Sequence, residues 1–201
     1  MKKITCSIIM MALIAFSTTL FAQDSNITVK AGIAYPDAPD KIGFDSAIGF
    51  NYGVDKYFTL GIETGFGWVK WKQKGASQTI GSVALTNVDK TNLYSLPLLA
   101  TATVRLSDMM ENYGVMPFIT GGVGYSWTWF DTEEIQNKTF HGFTWQAMGG
   151  VAIKLGYDSD IQFIIEAGYR GAEIENSKNF EIDMSGFVAR AGVSIPLVFT
   201  Y

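Results

Sequence analysis

The chain has 201 residues, with 15 Lys and Arg against 19 Asp and Glu, one His, one Cys, 21 Gly and 5 Pro. Only 17% of residues are charged while 48% are hydrophobic and 14% aromatic, a balance that excludes a disordered chain and falls below the roughly 25% charge of an ordinary soluble domain. A pI near 5.0 without any basic tract argues against a nucleic-acid binder, and a single Cys excludes an internal disulfide framework.

Residues 1–22 read as a secretory signal peptide. Lys2 and Lys3 are its positive start, Ile8 to Phe16 its apolar stretch, and Ala22 the small residue before cleavage. Thr5, Ser7, Ser17, Thr18 and Thr19 interrupt the apolar run, which favours a cleaved leader over an anchor. Cys6 precedes the apolar stretch, too early for lipid attachment. Cleavage leaves 23–201 with 13 basic and 19 acidic residues and no thiol.

After Gln23 no apolar run approaches the length of a spanning helix. Instead, segment after segment alternates with period two, the strand period. Over Phe58 to Trp68 one face carries Phe58, Leu60, Ile62, Thr64, Phe66 and Trp68; the other carries Thr59, Gly61, Glu63, Gly65 and Gly67. Phe143 to Leu155 and Ile161 to Tyr169 repeat the pattern. The second face is small, with isolated charges, which suits the crowded lumen of a narrow barrel. The apolar face then meets lipid.

Eight strands are predicted, over 27–35, 43–54, 57–70, 92–106, 115–130, 140–156, 160–174 and 184–200. Short connections (Asp55-Lys56, Ser107 to Gly114, Tyr157 to Ser159) alternate with long ones (Pro36 to Ile42, Trp71 to Thr91, Asp131 to Thr139, Glu175 to Asp183). Transmembrane barrels show this asymmetry, with short periplasmic turns and longer outer loops. The predicted fold is an eight-stranded antiparallel up-and-down transmembrane β-barrel over 23–201. The last strand is apolar at Val193, Ile195, Leu197, Phe199 and Tyr201. That pattern resembles the C-terminal signal read by the outer-membrane assembly machinery, an expected partner.

With Leu96-Pro97-Leu98-Leu99 and Pro117 to Tyr125 added, the chain resembles the eight-stranded outer-membrane barrel superfamily, the OmpA-barrel and OmpX-like proteins. The resemblance, over roughly 27–201, implies a cell outer-membrane location; the periplasmic peptidoglycan-binding domain that some family members carry after the barrel is not expected here.

Barrel physics then assigns side chains. Trp68, Trp71, Tyr125, Trp127, Trp129, Phe143 and Trp145 fall near the outer strand ends and read as an interfacial girdle. Tyr57, Phe58, Tyr113, Tyr157, Phe199 and Tyr201 form its inner counterpart. Lys30, Glu63, Arg105, Gln146, Lys154, Glu166, Arg170 and Arg190 fall on the small face and are expected to pair inside the lumen, because an unpaired buried charge is costly. Glu63 and Glu166 against Arg170 and Arg190 form the expected centre. Lys70, Lys72 and Lys74, spaced by two, are candidate contacts to lipopolysaccharide phosphates.

The expected role is structural or interactive: membrane integrity or adhesion, with surface contact through 71–91 and 131–139. A narrow pore is the first alternative and a lipid A-modifying enzyme the second. For catalysis the only histidine is His141, followed by Gly142 rather than a near serine. Ser126 or Thr128 on the neighbouring strand is its candidate hydroxyl, and Asp131, Glu133 or Glu134 its candidate acid. No metal-ligand spacing and no nucleotide-binding loop is present, so no cofactor is expected.

Overall fold

A strand in which every second side chain is small or polar can bury that face only against a narrow interior. The computed structural model describes residues 25–37, 41–71, 78–80, 83–85, 91–132, 139–156, 159–176 and 180–197. Residues 1–24, which include the predicted signal peptide, and 198–201 lie outside them. Eight long strands are present: β1 (Ser25–Pro36), β2 (Gly43–Gly53), β3 (Phe58–Trp71), β6 (Thr91–Arg105), β7 (Val115–Thr132), β8 (Thr139–Lys154), β9 (Gln162–Asn176) and β11 (Gly186–Leu197). Three short strands accompany them: β4 (Gln78–Ile80), β5 (Val83–Leu85) and β10 (Phe180–Asp183). The long strands begin and end within a few residues of the predicted bounds.

Every pairing is antiparallel, each long strand joins its sequence neighbour, and β11 pairs with β1 to close the barrel. The stagger can be followed residue by residue. From Ser25 the partners run through Tyr52, Leu60, Ala102, Gly121, Ala147, Tyr169 and Phe187 to Tyr35, ten residues further along β1. Eight strands with that stagger, at ordinary strand spacing and rise, tilt by roughly 40° around a barrel of about 8 Å radius. Such an interior is filled by side chains.

Two connections differ from simple loops. β4 and β5 pair as a separate hairpin within the β3–β6 connection, and β10 extends the upper part of β9. At the opposite end the predicted Ser107 to Gly114 turn is a helix, α1 (Ser107–Tyr113). Gly114 ends it at φ 71°, and its N–H donates to the Met110 carbonyl, the glycine stop that L residues rarely supply. The helix accounts for the length of this short-side connection. The end bearing α1 is the turn end; the end bearing the β3–β6 connection is the loop end.

Pro97 lies inside β6 and has no N–H to donate. The β3–β6 pairing is interrupted there, between Thr64↔Leu98 and Gly67↔Ser95, yet resumes in the same register. The Thr64 hydroxyl donates to the Pro97 carbonyl at 3.1 Å and helps span the break.

Glycines divide into two kinds. A Cβ on Gly124 would collide with the backbone of Leu98 and Leu99 on β6, whereas one on Gly121 would meet nothing. Gly124→Ala is therefore expected to destabilise the barrel by about 1–3 kcal/mol, the usual cost of overpacking. Gly121→Ala is expected to be nearly neutral. Urea unfolding of the two variants checks the contrast; equal midpoints would contradict it.

Candidate functional site: the lumen charge network and the outer rim

The alternation sends large apolar side chains outward and small or polar ones inward. Ile62, Ile119 and Ile165 are exposed at 59%, 69% and 49%, while Glu63, Glu166 and Arg190 are at most 5% exposed. Phe58 and Phe163 are half-buried.

The inward charges meet at mid-barrel. Lys30 Nζ lies 2.5 Å from Glu63 Oε2 and 3.0 Å from Glu166 Oε1. Arg190 donates to Glu166 from Nε at 2.7 Å and to Glu63 from an η nitrogen at 3.1 Å. The same η nitrogen reaches Asp45 at 3.4 Å. Arg170 donates to Asp45 at 2.7 Å and to Gln146 Oε1 at 3.5 Å, and Gln146 donates to Glu63 at 2.9 Å. The chain of contacts closes on itself. It holds three cations, Lys30, Arg170 and Arg190, against three carboxylates, Asp45, Glu63 and Glu166. Balance is what allows these groups to stay buried, since a buried charge needs both a partner and hydrogen bonds.

Two residues assigned to the lumen from the sequence stand apart. Arg105 lies at the turn end, where it donates to the carbonyls of Asp55 and Lys56, each at 3.2 Å. Lys154 is exposed and faces Asp160 at 3.7 Å. Both have inward parity but sit where the strands emerge, so they reach connections rather than the network. Asp45 belongs to the network and was missed. Its signal was present: the small face of β2 runs Asp45, Ala47, Gly49, Asn51, and the five assigned cations had only two carboxylates to meet.

Cavities flank the network. One of about 80 Å³ lies on the turn-end side, touching Lys30, Glu63 and Glu166. One of about 40 Å³ lies on the loop-end side, touching Asp45 and Arg170.

Outside, Trp68, Tyr125, Trp127 and Trp145 are exposed and Trp129 half-exposed near the loop end. They pair: Tyr94 stacks on Trp129 at 6.2 Å, Tyr125 meets Trp127 edge-on at 5.4 Å, and Trp145 packs near Tyr169 at 6.0 Å. The Trp145 ring covers Gly171, where a Cβ would strike its indole nitrogen. Lys70 is exposed and shares the outward parity of Trp68. Trp71 closes β3. Tyr157, Phe199, Tyr201, Lys72 and Lys74 lie outside the described residues.

His141 also faces outward, and its Nδ1 is 2.7 Å from the Tyr125 hydroxyl. Ser126 and Thr128 face the lumen, at 3% and 1% exposure. The sheet therefore separates His141 from both hydroxyls proposed for it, because adjacent positions on a strand point to opposite faces. Glu133 and Glu134 lie outside the described residues. Among the described residues no cluster of His, Cys, Asp or Glu is arranged to hold a metal.

At the turn end α1 is clasped to the β2–β3 turn. Lys56 pairs with Asp108 at 2.5 Å and Glu111 at 3.3 Å, and the Tyr57 hydroxyl donates to Asp108 at 3.0 Å. The Ser107 hydroxyl donates to the Lys56 carbonyl. Hydrogen bonds from Lys56 and Tyr57 hold the Asp108 carboxyl below its ordinary value, and those to Asp108 and Glu111 raise Lys56. A lowered carboxyl contributes above its unfolded pKa and loses that contribution as pH falls through its folded value. A raised lysine contributes below its unfolded pKa and loses it as pH rises through the folded one. The clasp is thus fully formed between the ordinary aspartate and lysine ranges.

Two outcomes follow. Arg190→Met removes the group that bridges three carboxylates, so destabilisation of about 3–5 kcal/mol is expected, read as a lower urea midpoint of the refolded barrel; an unchanged midpoint would exclude the network as a determinant. Asp108→Asn is expected to speed limited proteolysis around 107–113 at neutral pH, with wild type approaching the variant in high salt.

No family model and no curated protein matches the chain. Among solved structures, Neisserial surface protein A is 16% identical with a TM-score of 0.52, over 86% of this chain and 95% of that one. The N-terminal β-barrel domain of OprF from Pseudomonas aeruginosa is 12% identical with a TM-score of 0.47, over 87% and 98%. Ail of Yersinia pestis, in complex with a heparin analogue, is 12% identical with a TM-score of 0.46, over 86% and 97%. At such identities the likeness is one of fold. The chain has the fold of the eight-stranded outer-membrane barrels, a closed, all-antiparallel, up-and-down β-barrel.

Proposed function

We propose that the protein is an integral bacterial outer-membrane barrel with a side-chain-plugged lumen and a structural or surface-contact role, delivered by a cleaved leader. The carrying observation is the inverted distribution of polarity: a balanced set of buried charges inside and a belt of exposed Val, Ile, Leu and Phe outside. In water that belt would be costly; against acyl chains it is the favourable surface. Among the described residues no helix is long and apolar enough to cross a membrane; on this reading the strands cross it. On this reading the turn end faces the periplasm. The rim aromatics sit at the headgroup level, Lys70, Lys72 and Lys74 face lipopolysaccharide phosphates, and 71–91 and 131–139 are the surface for external contact.

A narrow pore is the second reading. The two cavities support it, since one layer of paired side chains divides them. The balanced ring around Arg190 favours a closed lumen. Lipid A modification has less support, because His141 faces Tyr125 rather than a nucleophilic hydroxyl.

Cell fractionation should place the protein in the detergent-extracted outer membrane, with gel mobility that changes on boiling; recovery in the soluble periplasmic fraction would overturn the proposal. Reconstituted in planar bilayers, the protein should show no discrete conductance steps. Reproducible steps would transfer the assignment to the pore. An unaltered lipid A profile on expression is expected with both wild type and His141→Ala.

A further inference from the structure

The connection between β6 and β7 is a helix with two unlike sides. At the helical repeat, Met109, Met110 and Tyr113 of α1 fall within about 100° of one another, while Ser107, Asp108, Glu111 and Asn112 occupy the other side.

The polar side is committed within the protein. Lys56 pairs with Asp108 and Glu111, and the Tyr57 hydroxyl donates to Asp108. The Ser107 hydroxyl donates to the Lys56 carbonyl, and Asn112 Nδ2 donates to the Asp108 carbonyl at 2.9 Å. On the apolar side Met110 turns to the barrel mouth and packs against Met116, Ala152 and Ile164. Met109 and Tyr113 stay 37% and 76% exposed.

These exposed residues are not isolated. Leu106, which precedes the helix, is 53% exposed and shares the outward parity of Val104 on β6. Val104 pairs with Ile119 on β7, and both are exposed. At the far end of α1, Tyr113 leads through Gly114 into Val115, which has the parity of Ile119. The outer belt of β6 and β7 therefore runs into the apolar side of α1 from both ends of the helix. A single exposed apolar side chain needs no explanation, but one continuous with a belt of them marks a surface that something covers.

The neighbours narrow what that is. The belt on β6 and β7 is the surface assigned to acyl chains, and α1 lies where the belt ends. A protein docked on Met109 and Tyr113 would have to displace the lipid already facing Val104 and Leu106. Tyrosine suits such a boundary, because its ring is apolar and its hydroxyl is at home in water. Asp108 and Glu111 lie on the opposite side of the helix, where Lys56 holds them.

We propose that α1 is an interfacial anchor. Leu106, Met109 and Tyr113 rest in the headgroup boundary of the phospholipid leaflet on the periplasmic side, while the Lys56 clasp keeps the acidic side in water. This placement rests on the outer-membrane reading and extends it to a specific lipid contact.

The single cysteine of the chain, Cys6, lies in the predicted leader, so the mature chain accepts one-cysteine labels without background. Met109→Cys, Tyr113→Cys, Asn112→Cys and Ile119→Cys are each labelled with bimane and refolded into phosphatidylcholine vesicles, with iodide on both sides of the membrane. Boiling-dependent gel mobility reports that each variant is folded. Ile119 marks the belt and Asn112 the polar side of α1. Dyes at Met109 and Tyr113 should lose fluorescence to lipids spin-labelled near the headgroup and be shielded from iodide. The dye at Asn112 should show the reverse, and the dye at Ile119 should respond most to spin labels at mid-chain. Iodide quenching at Met109 and Tyr113 equal to that at Asn112, with Ile119 still quenched by lipid, would overturn the anchor and leave the outer-membrane reading standing. Absence of lipid quenching at Ile119 would overturn both.

Discussion

A closed sheet of eight strands leaves its inward charges only each other. Lys30 on β1, Asp45 on β2, Glu63 on β3, Glu166 and Arg170 on β9 and Arg190 on β11 come from opposite sides of the barrel and converge in one layer. Arg170 and Asp45 are 125 residues apart in sequence yet within 2.7 Å. A pairing of that kind is available only when the barrel has closed in the correct stagger. A slip of one residue would turn each of these groups toward the outer belt. The network therefore acts as a register lock, and its three-to-three balance is the condition for tolerating it inside.

Small residues supply the room. Around the layer many inward positions are Gly, Ala, Thr or Ser, beside the buried Leu99, Met148 and Val188, and at several of the glycines a Cβ would strike the neighbouring strand's backbone. Space saved there is occupied by long Arg and Lys side chains. The outer face has the opposite economy. Bulky Ile, Leu, Val and Phe project from many of the alternate positions, with Ala, Gly, Ser and Thr at others, and aromatics gather toward the loop end. Neither face would suit a water-soluble sandwich, in which the apolar side turns inward.

Period-two alternation made the eight strands, their antiparallel order and the sense of each face legible in the sequence, because each strand repeats the same pattern independently. Terminal effects were less legible. Arg105 and Lys154 have inward parity, but parity does not say how far along the barrel a residue lies, and both sit at the turn end. Asp45 was visible in parity and in charge arithmetic, yet its partner Arg170 could be paired with it only once the stagger of ten was known. The helix α1 carried a local signal, a Ser-Asp start and a Gly stop, obscured by the expectation of a tight turn. The opposite faces of His141 and Ser126 follow from register alone, since His141 lies across from Trp127 rather than from Ser126.

The two ends of the barrel are closed off by different physics. At the loop end, where the outer wall meets the interfacial layer, aromatic pairs such as Tyr94 with Trp129 and Trp145 with Tyr169 cover the strand backbones and tolerate a mixed polar and apolar surrounding. At the turn end an exposed ionic clasp fixes α1, while Met110 on its inner side packs against Met116, Ala152 and Ile164. This apolar patch lies below a charged layer that cannot itself bury oily surface. It places Met116, Phe118, Ala152 and Ile164 in the lining of the turn-end cavity, among polar groups that include Thr120 on β7 and Gln162 on β9, so the lumen passes from charge to a mixed surface within a few residues of the mouth. A helix serves that position better than a two-residue turn, because only a helix carries a side chain such as Met110 back to the inner wall while keeping Asp108 and Glu111 outside for Lys56.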